Sequence, residues 1–560
     1  MDIFTTTVTA ITEIYRITIF IKGVVTDIEN RDADQQEIRD KLDHELLFLD
    51  SFKHLFFDND GKFIYDSRLP DSLKRDVEIL LSALKGTLAE YGMLAAKHGM
   101  LDLEPDDDAD TATTQEDDLK SPSGRIQRVQ LMLKDLKSRT FDWALFDKKK
   151  LTQTLAAYSG WTERLRQTMS LMLLTLAAFD KSSIRKFTNN EEARNLGIQH
   201  VARRQLLAKT ETPANFSPLQ GRIIEDTETS SDADVKLAMY MNEKQQINEK
   251  VVVEYRKYGN ELIQATKFGS PREEDLKAST RNLAWLLHTA FPVTSEDDDP
   301  ETIENSGFLA LPCLGYIDQP GKHRFLFVYR LPSEMTTLLT FQPLTLHSLI
   351  SGNVRNKPPL GNRFFMAHAL ASTVLNIHTF GWVHKSIRSR GVIMLPSSGV
   401  STSSGSRWLK PYLTGWGIAR AVIDGTELAA DNEIESNFYR HPKRQGKPED
   451  TFDIEHDLYA LGVVLLEIGV WETIGMMFAT EIDQATATNH LPEAEGLRTA
   501  YIQKAYAKLS KEMGEAYMTA VVKCLTGDFE VGPKEDDRRS ALILEFRESV
   551  VEVVVKGIGL

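Results

Sequence analysis

The sequence predicts an all-α helical bundle followed by an α+β region, a multidomain fold of class α + (α+β). Over the first 180 residues, apolar side chains recur at spacings of three and four, the period of a helix with one buried face. Further along, His323 to Pro332 is an apolar run that ends at proline, which is typical of a strand. A length of 560 residues leaves room for two or three domains.

Five apolar stripes predict the helices of the bundle in chain order. Each stripe buries one face of its helix, so we expect antiparallel packing around a common core. The stripes consist of Ala10, Ile14, Ile17, Ile21 and Val24; Ile38, Leu42, Leu46, Leu49, Phe52 and Phe56; Leu73, Val77, Leu80, Leu84, Leu88, Tyr91 and Leu94; Ile126, Val129, Leu133 and Leu136; and Leu151, Leu155, Tyr158, Leu165, Met169, Met172, Leu176 and Phe179.

The segments between the predicted elements are polar. Residues Asp102 to Asp118 contain nine acidic side chains and no basic one, which predicts a solvated loop. Ser397 to Ser406 predicts a flexible insertion in the second half. Lys181 to Pro213 is typical of an amphipathic connector between the two halves. For Asp234 to Glu249, the pattern fits both a pair of strands and a single helix.

The composition is that of a globular protein, and it limits the partners. Hydrophobic residues make up 42% of the chain, charged residues 26%, and the net charge is −15. Such a chain does not predict nucleic-acid binding, which needs a basic face. Its two cysteines, Cys313 and Cys524, lack metal-ligand spacing, and we expect a reducing cytoplasm. No apolar stretch reaches the ~20 residues of a membrane-spanning helix.

Two segments of the second half carry a catalytic pattern whose reactive residues are replaced. Val383 to Leu395 reads VHKSIRSRGVIML, and Leu413 to Arg420 reads LTGWGIAR. They resemble the H-R-D-L-x-x-x-N loop and the D-F-G motif of protein kinases, which supply the catalytic base and the magnesium ligands. In this chain His384 keeps the His of the loop, while Ser386 stands at the position of the base.

Both metal-ligand positions of the kinase pattern are also replaced. Gly391 stands where the loop has Asn, and Gly415 begins Gly-Trp-Gly in place of D-F-G. Serine and glycine supply no carboxylate for the proton and no anionic ligand for Mg²⁺. The resemblance therefore implies a bilobal kinase-like fold that is not an enzyme and holds no metal. Trp416 is expected in the pocket of the D-F-G Phe.

The part of the chain before the catalytic pattern resembles the kinase small lobe. Lys250 to Tyr258 resembles its third strand, which puts Arg256 near the phosphate-binding Lys and Glu274 at the position of the partner of that Lys. No G-x-G-x-x-G precedes this strand, which counts against ATP turnover. We expect no cofactor. Arg256 leaves nucleotide binding open, and the alternative interpretation of Arg256 is a side chain on a solvated strand edge.

The part after the catalytic pattern resembles the kinase large lobe. Asp453 to Trp471 resembles its long buried helix. By this resemblance, Asp457 ties the backbone of the catalytic loop to that helix. His384 is expected to be structural rather than a metal ligand, because no carboxylate or Cys stands at ligand spacing beside it.

The amino-terminal half carries a second resemblance. It opens with MDIFTTTVTAITEIYRITIFIKGVVTDIENR and contains HELLFLDSFKHLFFDNDG. These segments resemble the HeLo and HeLo-like (prion-inhibition and propagation) domains of fungal cell-death and incompatibility proteins. A HeLo-like bundle followed by a degenerate kinase is similar in architecture to the mixed-lineage-kinase-like pseudokinases of necroptosis. The resemblance implies a bundle that oligomerises when triggered and inserts its first helix into the plasma membrane.

Two features of the sequence bear on membrane contact, and each has a second interpretation. The first helix carries an apolar face that suits either a membrane interface or a protein core, and core packing is the commoner case. Residues Arg125 to Lys150 hold eight basic side chains against three acidic ones, which suits either anionic headgroups or a solvated helix face with internal ion pairs. The insertion candidates are Ile14, Ile17 and Ile21, and the headgroup candidates are Lys148, Lys149 and Lys150.

The sequence thus predicts a HeLo-like bundle over residues 1–180, a helical connector over 181–215 and a kinase-like domain over 216–560. We interpret the protein as a cytoplasmic signalling or cell-death effector. The pseudokinase would bind protein partners and restrain a bundle that forms homo-oligomers and contacts anionic lipids at the plasma membrane. One alternative is an interaction scaffold without membrane activity. A less favoured one is an unconventional ATP-binding kinase.

Overall fold

The structure, a computed structural model, divides the chain into two compact units between Lys209 and Thr210. We call Met1–Lys209 the first unit and Thr210–Leu560 the second unit. The helices at the start of the predicted connector therefore belong to the first unit. The structure describes residues 3–26, 33–58, 62–65, 69, 71–97, 148–179, 181–199, 201–202, 212–213, 215–225, 235–242, 244, 247–290, 309–331, 344–352, 357–379, 381–401, 407–421, 433–530 and 535–558.

The described part of the first unit is helical. The predicted stripe from Ile126 to Leu136 and the acidic segment from Asp102 to Asp118 lie outside the described residues. The helices are α1 (Ile3–Thr26), α2 (Ala33–Phe56), α3 (Asp71–Thr87), α4 (Ala89–Lys97), α5 (Lys148–Phe179), α6 (Lys181–Thr188) and α7 (Glu191–Asn195).

The predicted apolar stripes form the core of the first unit. Ile14 of α1, Phe52 of α2, Leu73 of α3 and Met172 of α5 are each buried. Burial of one such side chain stabilises a fold by roughly 1.5–3 kcal/mol. Many such side chains on four helices therefore hold the bundle together, and the prediction of a helical bundle is confirmed.

One predicted helix is in fact two. The stripe from Leu73 to Leu94 predicts a continuous helix, but α3 ends at Thr87 and α4 begins at Ala89, with a bend of 62° between them. Two neighbouring residues weaken the helix at this point. Gly86 has a high conformational entropy in the unfolded chain, and the Thr87 hydroxyl donates to the carbonyl of Ala83 at 2.9 Å. Leu88, which lies at the bend, is buried like the other members of the stripe, so both helices face the same core.

The second unit begins with a five-stranded antiparallel sheet whose strand order is β1-β2-β3-β5-β4. Its central strand β3 pairs with β2 on one side and with β5 on the other, so the strand is covered along both edges. Within Asp234 to Glu249, the described residues 235–242 and 247–249 therefore belong to a pair of strands and not to a helix. The strands are β1 (Arg222–Glu225), β2 (Val235–Asn242), β3 (Ile247–Lys257), β4 (Cys313–Gln319) and β5 (Arg324–Arg330).

The rest of the second unit is mostly helical. The described helices are α8 (Asn260–Phe268), α9 (Glu273–Ala290), α10 (Leu346–Gly352), α11 (Leu360–Thr379), α12 (Ile434–Asn437), α13 (Ile454–Val470), α14 (Ile474–Met477), α15 (Ala479–Thr488), α16 (Ala494–Lys504), α17 (Ser510–Glu512), α18 (Glu515–Thr526), α19 (Glu535–Phe546) and α20 (Glu552–Val555). Short strands are β6 (Leu344–Thr345), β7 (Trp382–Val383), β8 (Val392–Ser401), β9 (Arg407–Leu413) and β10 (Arg420–Ala421), and π-helical turns lie at Ala505–Leu509 and Arg547–Val551.

The predicted flexible insertion from Ser397 to Ser406 is partly a strand. Residues through Ser401 belong to β8, and Ser401 pairs with Arg407 of β9. Residues 402–406 lie outside the described part of the chain. The serine-rich composition did not reveal the strand because antiparallel pairing is made by backbone groups, which every residue other than proline carries in full.

Helix α13 is the central helix of the second unit. All of its residues except Glu455 are buried, so it is enclosed on every side, as expected for a core helix. Asp453 caps its first turn in a capping box with His456, and Trp471 ends it in a left-handed conformation. A helix so enclosed provides a rigid base for any loop that is hydrogen-bonded to it.

Candidate functional site

The loop that carries the catalytic pattern is fixed to helix α13 by Asp457. This fully buried carboxylate accepts hydrogen bonds from the backbone N–H groups of His384, at 2.6 Å, and Lys385, at 2.9 Å. His378 contributes a third contact from its Nε2, at 3.3 Å. Burial by itself raises the pKa of Asp457, but the hydrogen bond and charge of His378 and the contacts with His384 leave that pKa below its ordinary value. Asp457 is therefore ionised, and its carboxylate holds the loop against α13.

The backbone of this loop is held in an uncommon conformation. Lys385 has a φ of 71°, in the left-handed region that non-glycine residues rarely adopt. Such a conformation persists only where the surrounding contacts determine it, and the Asp457 hydrogen bonds supply those contacts. The Lys385 ammonium lies 5.9 Å from the centre of the Phe452 ring, so this side chain also contacts an aromatic surface.

The side chain of Trp416 packs against that of His384, which belongs to the loop. Both side chains are buried, and their rings meet edge to face with 4.6 Å between centroids. The indole Nε1 donates to the carbonyl of Leu413 at 3.1 Å. Burial lowers the pKa of His384 to about 4, so its imidazole is neutral at physiological pH. The two residues therefore form a structural contact.

The structure brings the three replaced catalytic positions together. The Gly391 carbonyl accepts from the N–H of Thr414, at 2.8 Å, and from its hydroxyl, at 2.9 Å. Gly415 has a φ of 89°, and a Cβ added there would lie 3.3 Å from Oγ of Ser386. A Cβ on Gly391 would lie 3.4 Å from the carbonyl oxygens of Ser386 and Thr414. The left-handed φ and the 3.3 Å contact therefore disfavour a side chain at Gly415, whereas the contacts at Gly391 are ordinary van der Waals ones.

A residue that sequence reasoning missed, Glu254, completes this site. Its Oε1 accepts from the N–H of Gly417 at 2.6 Å, and its Oε2 accepts from the N–H of Gly415 at 3.1 Å. Glu254 lies on β3, three residues before its last residue Lys257, and is only 3% exposed. The Tyr329 hydroxyl, 3.4 Å from Oε2, is a further donor. One buried carboxylate therefore joins the sheet to the Gly-Trp-Gly turn.

A signal in the sequence could have identified Glu254. The stretch Val251–Val252–Val253–Glu254 shares with V-A-I-K of the third kinase strand an apolar run that ends in a charged residue, and only Val251 is identical. The prediction selected Arg256 instead, two residues further on. Because side chains alternate along a strand, residues two apart share one face, and position alone did not distinguish Arg256 from Glu254.

The two residues predicted as a nucleotide-site pair do not meet. Arg256 is half-buried beside the Gly-Trp-Gly turn, and burial lowers its pKa by more than the charge of Glu254 raises it. Glu274 is exposed on α9 and forms no ion pair with any described residue. The ion pairs of α9 instead involve Lys277, which contacts Glu273 at 2.7 Å and Asp318 of β4 at 2.8 Å. The expected Arg256–Glu274 contact is therefore absent from the described residues.

Besides Asp457, the buried carboxyl of Glu467 lies next to the loop. Oε1 of Glu467, on α13, accepts from the Tyr439 hydroxyl and from the N–H of Ile474, both at 2.8 Å. The Tyr439 hydroxyl also lies 2.9 Å from that of Ser389, which belongs to the loop. Burial raises the pKa of Glu467 to about 7. The protonation of this carboxyl therefore changes within the physiological range.

The chemistry of the site follows from these contacts. Phosphoryl transfer requires a carboxylate base and cations that neutralise the phosphates. Ser386 provides no carboxylate, and Glu254 adds a buried negative charge to this site. Among the residues that the structure describes, no group of three or more His, Cys, Asp or Glu side chains has the arrangement of a metal site.

The membrane-insertion candidates of the first unit are core residues in this structure. Ile14, Ile17 and Ile21 are each at most 1% exposed. Lys150 is exposed and forms an ion pair with Glu90 at 2.6 Å, while the side chains of Lys148 and Lys149 lie outside the description. No single described helix is long and apolar enough to cross a bilayer, although Leu73–Thr87 and Ala89–Lys97 reach that length and composition as a bent pair.

Comparison with known proteins assigns no family to this chain. A scan against protein-family models gives no match. A search of curated proteins gives no match either. The contacts described above therefore carry the functional proposal.

Proposed function

We propose that the second unit is a kinase-like domain that does not transfer phosphate, and that it restrains the first unit. On release, the first unit would act as a HeLo-like bundle that oligomerises and perturbs membranes. The protein would thus be a cytoplasmic signalling or cell-death effector that is recruited to the plasma membrane. The observation that carries the proposal is the carboxylate of Glu254 on the amides of Gly415 and Gly417, because it fills a phosphate-handling position with a negative charge.

The architecture of the second unit supports a kinase-like domain. Its first part is a five-stranded antiparallel sheet with α9 inserted after the third strand, and its later part is rich in helices. The loop around His384 is anchored to a buried helix through Asp457. Retaining this anchor while losing the reactive residues is what a domain that serves as a switch or docking surface requires.

The contacts of α1 support a restrained bundle. Its apolar residues are buried within the first unit, so they reach lipid only if α1 leaves its neighbours. Ion pairs also hold α1, among them Glu13 with Lys85 at 2.5 Å and the buried Lys22 with Asp43. An exposed pair such as Glu13 with Lys85 contributes only about 0–1 kcal/mol, so the buried apolar face is the main attachment of α1. A restraint that stabilises the packed state is then sufficient to keep α1 away from membranes.

Dye release from liposomes tests this proposal. Vesicles of phosphatidylcholine with a phosphoinositide would be mixed with the full chain, with residues 1–209, and with residues 33–209, which lack α1. We expect leakage from 1–209, little from the full chain, and none from 33–209. Circular dichroism of both fragments establishes that they are helical. Vesicles without the anionic lipid measure how much of the activity depends on charge.

The same experiment separates the competing functions. If 1–209 is folded and releases no dye, the membrane proposal is wrong and the interaction scaffold becomes the working model. Leakage that is equal for 1–209 and the full chain would contradict the restraint. An unconventional kinase instead requires Mg²⁺-dependent ATP binding.

A further inference from the structure

The apolar stripe of α2 is interrupted by one acidic residue. Leu42, Leu46 and Leu49 recur at helical spacing and are buried. Glu45 lies among them, three residues after Leu42 and four before Leu49. A position with this spacing belongs to the core-facing side of the helix, where an apolar residue is the usual choice. Glu45 is accordingly buried, with an exposed fraction of only 4%.

The carboxyl group of Glu45 has a single hydrogen-bond donor. The Ser159 hydroxyl, on α5, donates to its Oε1 at 2.7 Å. Its Oε2 is buried, and no group in the described part of the chain donates to it. A carboxylate in water accepts several hydrogen bonds. One donor therefore replaces only part of the hydration that Glu45 loses on folding.

The cations that contact neighbouring residues of α2 leave Glu45 without a counter-charge. Lys22 of α1 pairs with Asp43. Arg166 of α5 contacts His44, with 3.4 Å between its Nη2 and Nε2 of the ring. Among the residues that the structure describes, no cation forms an ion pair with Glu45. A buried acidic group without a cationic partner opposes folding unless hydrogen bonds compensate it in full.

Glu45 also faces a hydroxyl that joins α5 to α1. Tyr158, the neighbour of Ser159, is fully buried, and its hydroxyl lies 2.9 Å from that of Thr18 on α1. Burial raises the pKa of Tyr158, and the negative charge of Glu45 raises it further. The surroundings of Glu45 therefore include side chains of three helices, α1, α2 and α5.

We propose that Glu45 is a built-in weak point of the first unit: a buried acidic side chain, held by a single donor, that lowers the free energy required to separate α2 from α5. An apolar residue of similar volume would hold the two helices together more strongly, because it fills the same space and has no hydration to lose. Segments that open do so through contacts of low stability. The inference goes beyond the proposed function, since it concerns the packing of the first unit whether or not that unit acts on membranes.

Hydrogen exchange on the full chain tests the weak point. Glu45→Met keeps the length of the side chain and removes its charge. We expect E45M to slow exchange of the amides in α2 and α5 around this contact by about tenfold. Ser159→Ala should act in the opposite direction, because it removes the donor to Oε1. Glu163→Met is the matched control: Glu163 is an exposed acidic residue of α5, so its loss should change exchange far less.

Glu45→Leu repeats the test with a side chain of another shape, so that the misfit of one side chain does not decide the outcome. Slower exchange in E45M or E45L, without the same change in E163M, would support the proposal. If neither variant slows exchange, or if E163M slows it equally, Glu45 is not a weak point and the proposal is wrong. Unchanged exchange in S159A would also contradict it. The measurement uses no vesicles, so its failure is distinguishable from a failure of the proposed membrane activity.

Discussion

At Glu254, the charge of one side chain decides what the neighbouring turn binds. Two backbone N–H groups that point into one turn form a concave site for an anion. Here the turn is Gly415–Gly417, and the anion is a carboxylate of the same chain. The anion site of this turn is therefore filled from within the chain.

The Glu254 contact predicts a large effect from a small substitution. In Glu254→Gln, one oxygen becomes an NH₂ group that faces a backbone N–H, so one buried donor loses its acceptor. Hydrogen bonds to charged groups contribute about 1.5–3 kcal/mol, and we expect a loss of about 2–3 kcal/mol in the free energy of unfolding by urea. Glu274→Gln is the matched control, because Glu274 is exposed and forms no ion pair with a described residue. Equal stability of E254Q and E274Q would contradict the contact.

Glu467 predicts a stability that depends on pH. Its pKa is about 7 in the folded chain, against an ordinary value of 4.5. Between these values the folded state holds a proton that the unfolded state has lost, so the free energy of unfolding falls as the pH rises through this window. The shift corresponds to about 3 kcal/mol. The low pKa of His384 acts in the opposite direction, since stability there is lost as the pH falls from 6.5 toward about 4.

A comparison with Glu467→Gln isolates this contribution. The amide keeps the oxygen that accepts from Tyr439 and Ile474 but does not ionise. We expect the stability difference between E467Q and the unaltered chain to move in favour of E467Q by about 3 kcal/mol between pH 4.5 and 7. Denaturation at a series of pH values measures it. A difference that is constant across the window would show that Glu467 ionises normally.

These residues also show what the sequence can and cannot reveal. The anchor role of Asp457 was foreseen because the apolar segment from Asp453 to Trp471 resembles the long buried helix of the kinase large lobe. Glu254 was not, because its partner Gly415 is 161 residues away, and no local pattern encodes that distance. The helices of the first unit are predictable because their apolar spacing is local. The break between α3 and α4 was not predicted, because the apolar spacing continues across it.

Among the helices, α1 is joined to α5 by a polar contact inside an apolar interface. The Thr18 hydroxyl donates to the carbonyl of Ile14 at 2.8 Å and lies 2.9 Å from the hydroxyl of Tyr158. Both side chains are fully buried. A buried polar pair costs little while it is satisfied, but each partner becomes expensive when the other is removed. Such a pair fixes the position of α1 along α5.

A double-mutant cycle across α1 and α5 measures this contact. We expect Thr18→Val to lower the free energy of unfolding by about 1–3 kcal/mol, because it leaves the Tyr158 hydroxyl buried without this partner. Tyr158→Phe leaves the Thr18 hydroxyl its bond to Ile14 and should cost less. The double variant should be more stable than the sum of the single effects implies. Additive effects would mean that the two hydroxyls do not interact.

For the whole molecule, the decisive property is how its two compact units respond to ligands. A ligand shifts an equilibrium only by its difference in affinity for the two states. Nucleotide is the candidate ligand if the proposed function holds, and in the second unit a buried carboxylate already occupies the amides of Gly415 and Gly417. A switch in this protein is therefore expected to respond to protein partners or to modification rather than to ATP.

Thermal unfolding of the full chain with Mg²⁺ and ATP tests that expectation. A ligand at 100 times its dissociation constant stabilises the folded state by about 2.7 kcal/mol. At 1 mM nucleotide (roughly 100 times a 10 µM dissociation constant), such binding would raise the unfolding temperature by several degrees. We expect no increase, because Glu254 repels phosphate and its two amide donors are already engaged. An increase that requires Mg²⁺ and disappears in Arg256→Ala would instead favour the unconventional kinase, and would mean that the carboxylate leaves the turn when nucleotide binds.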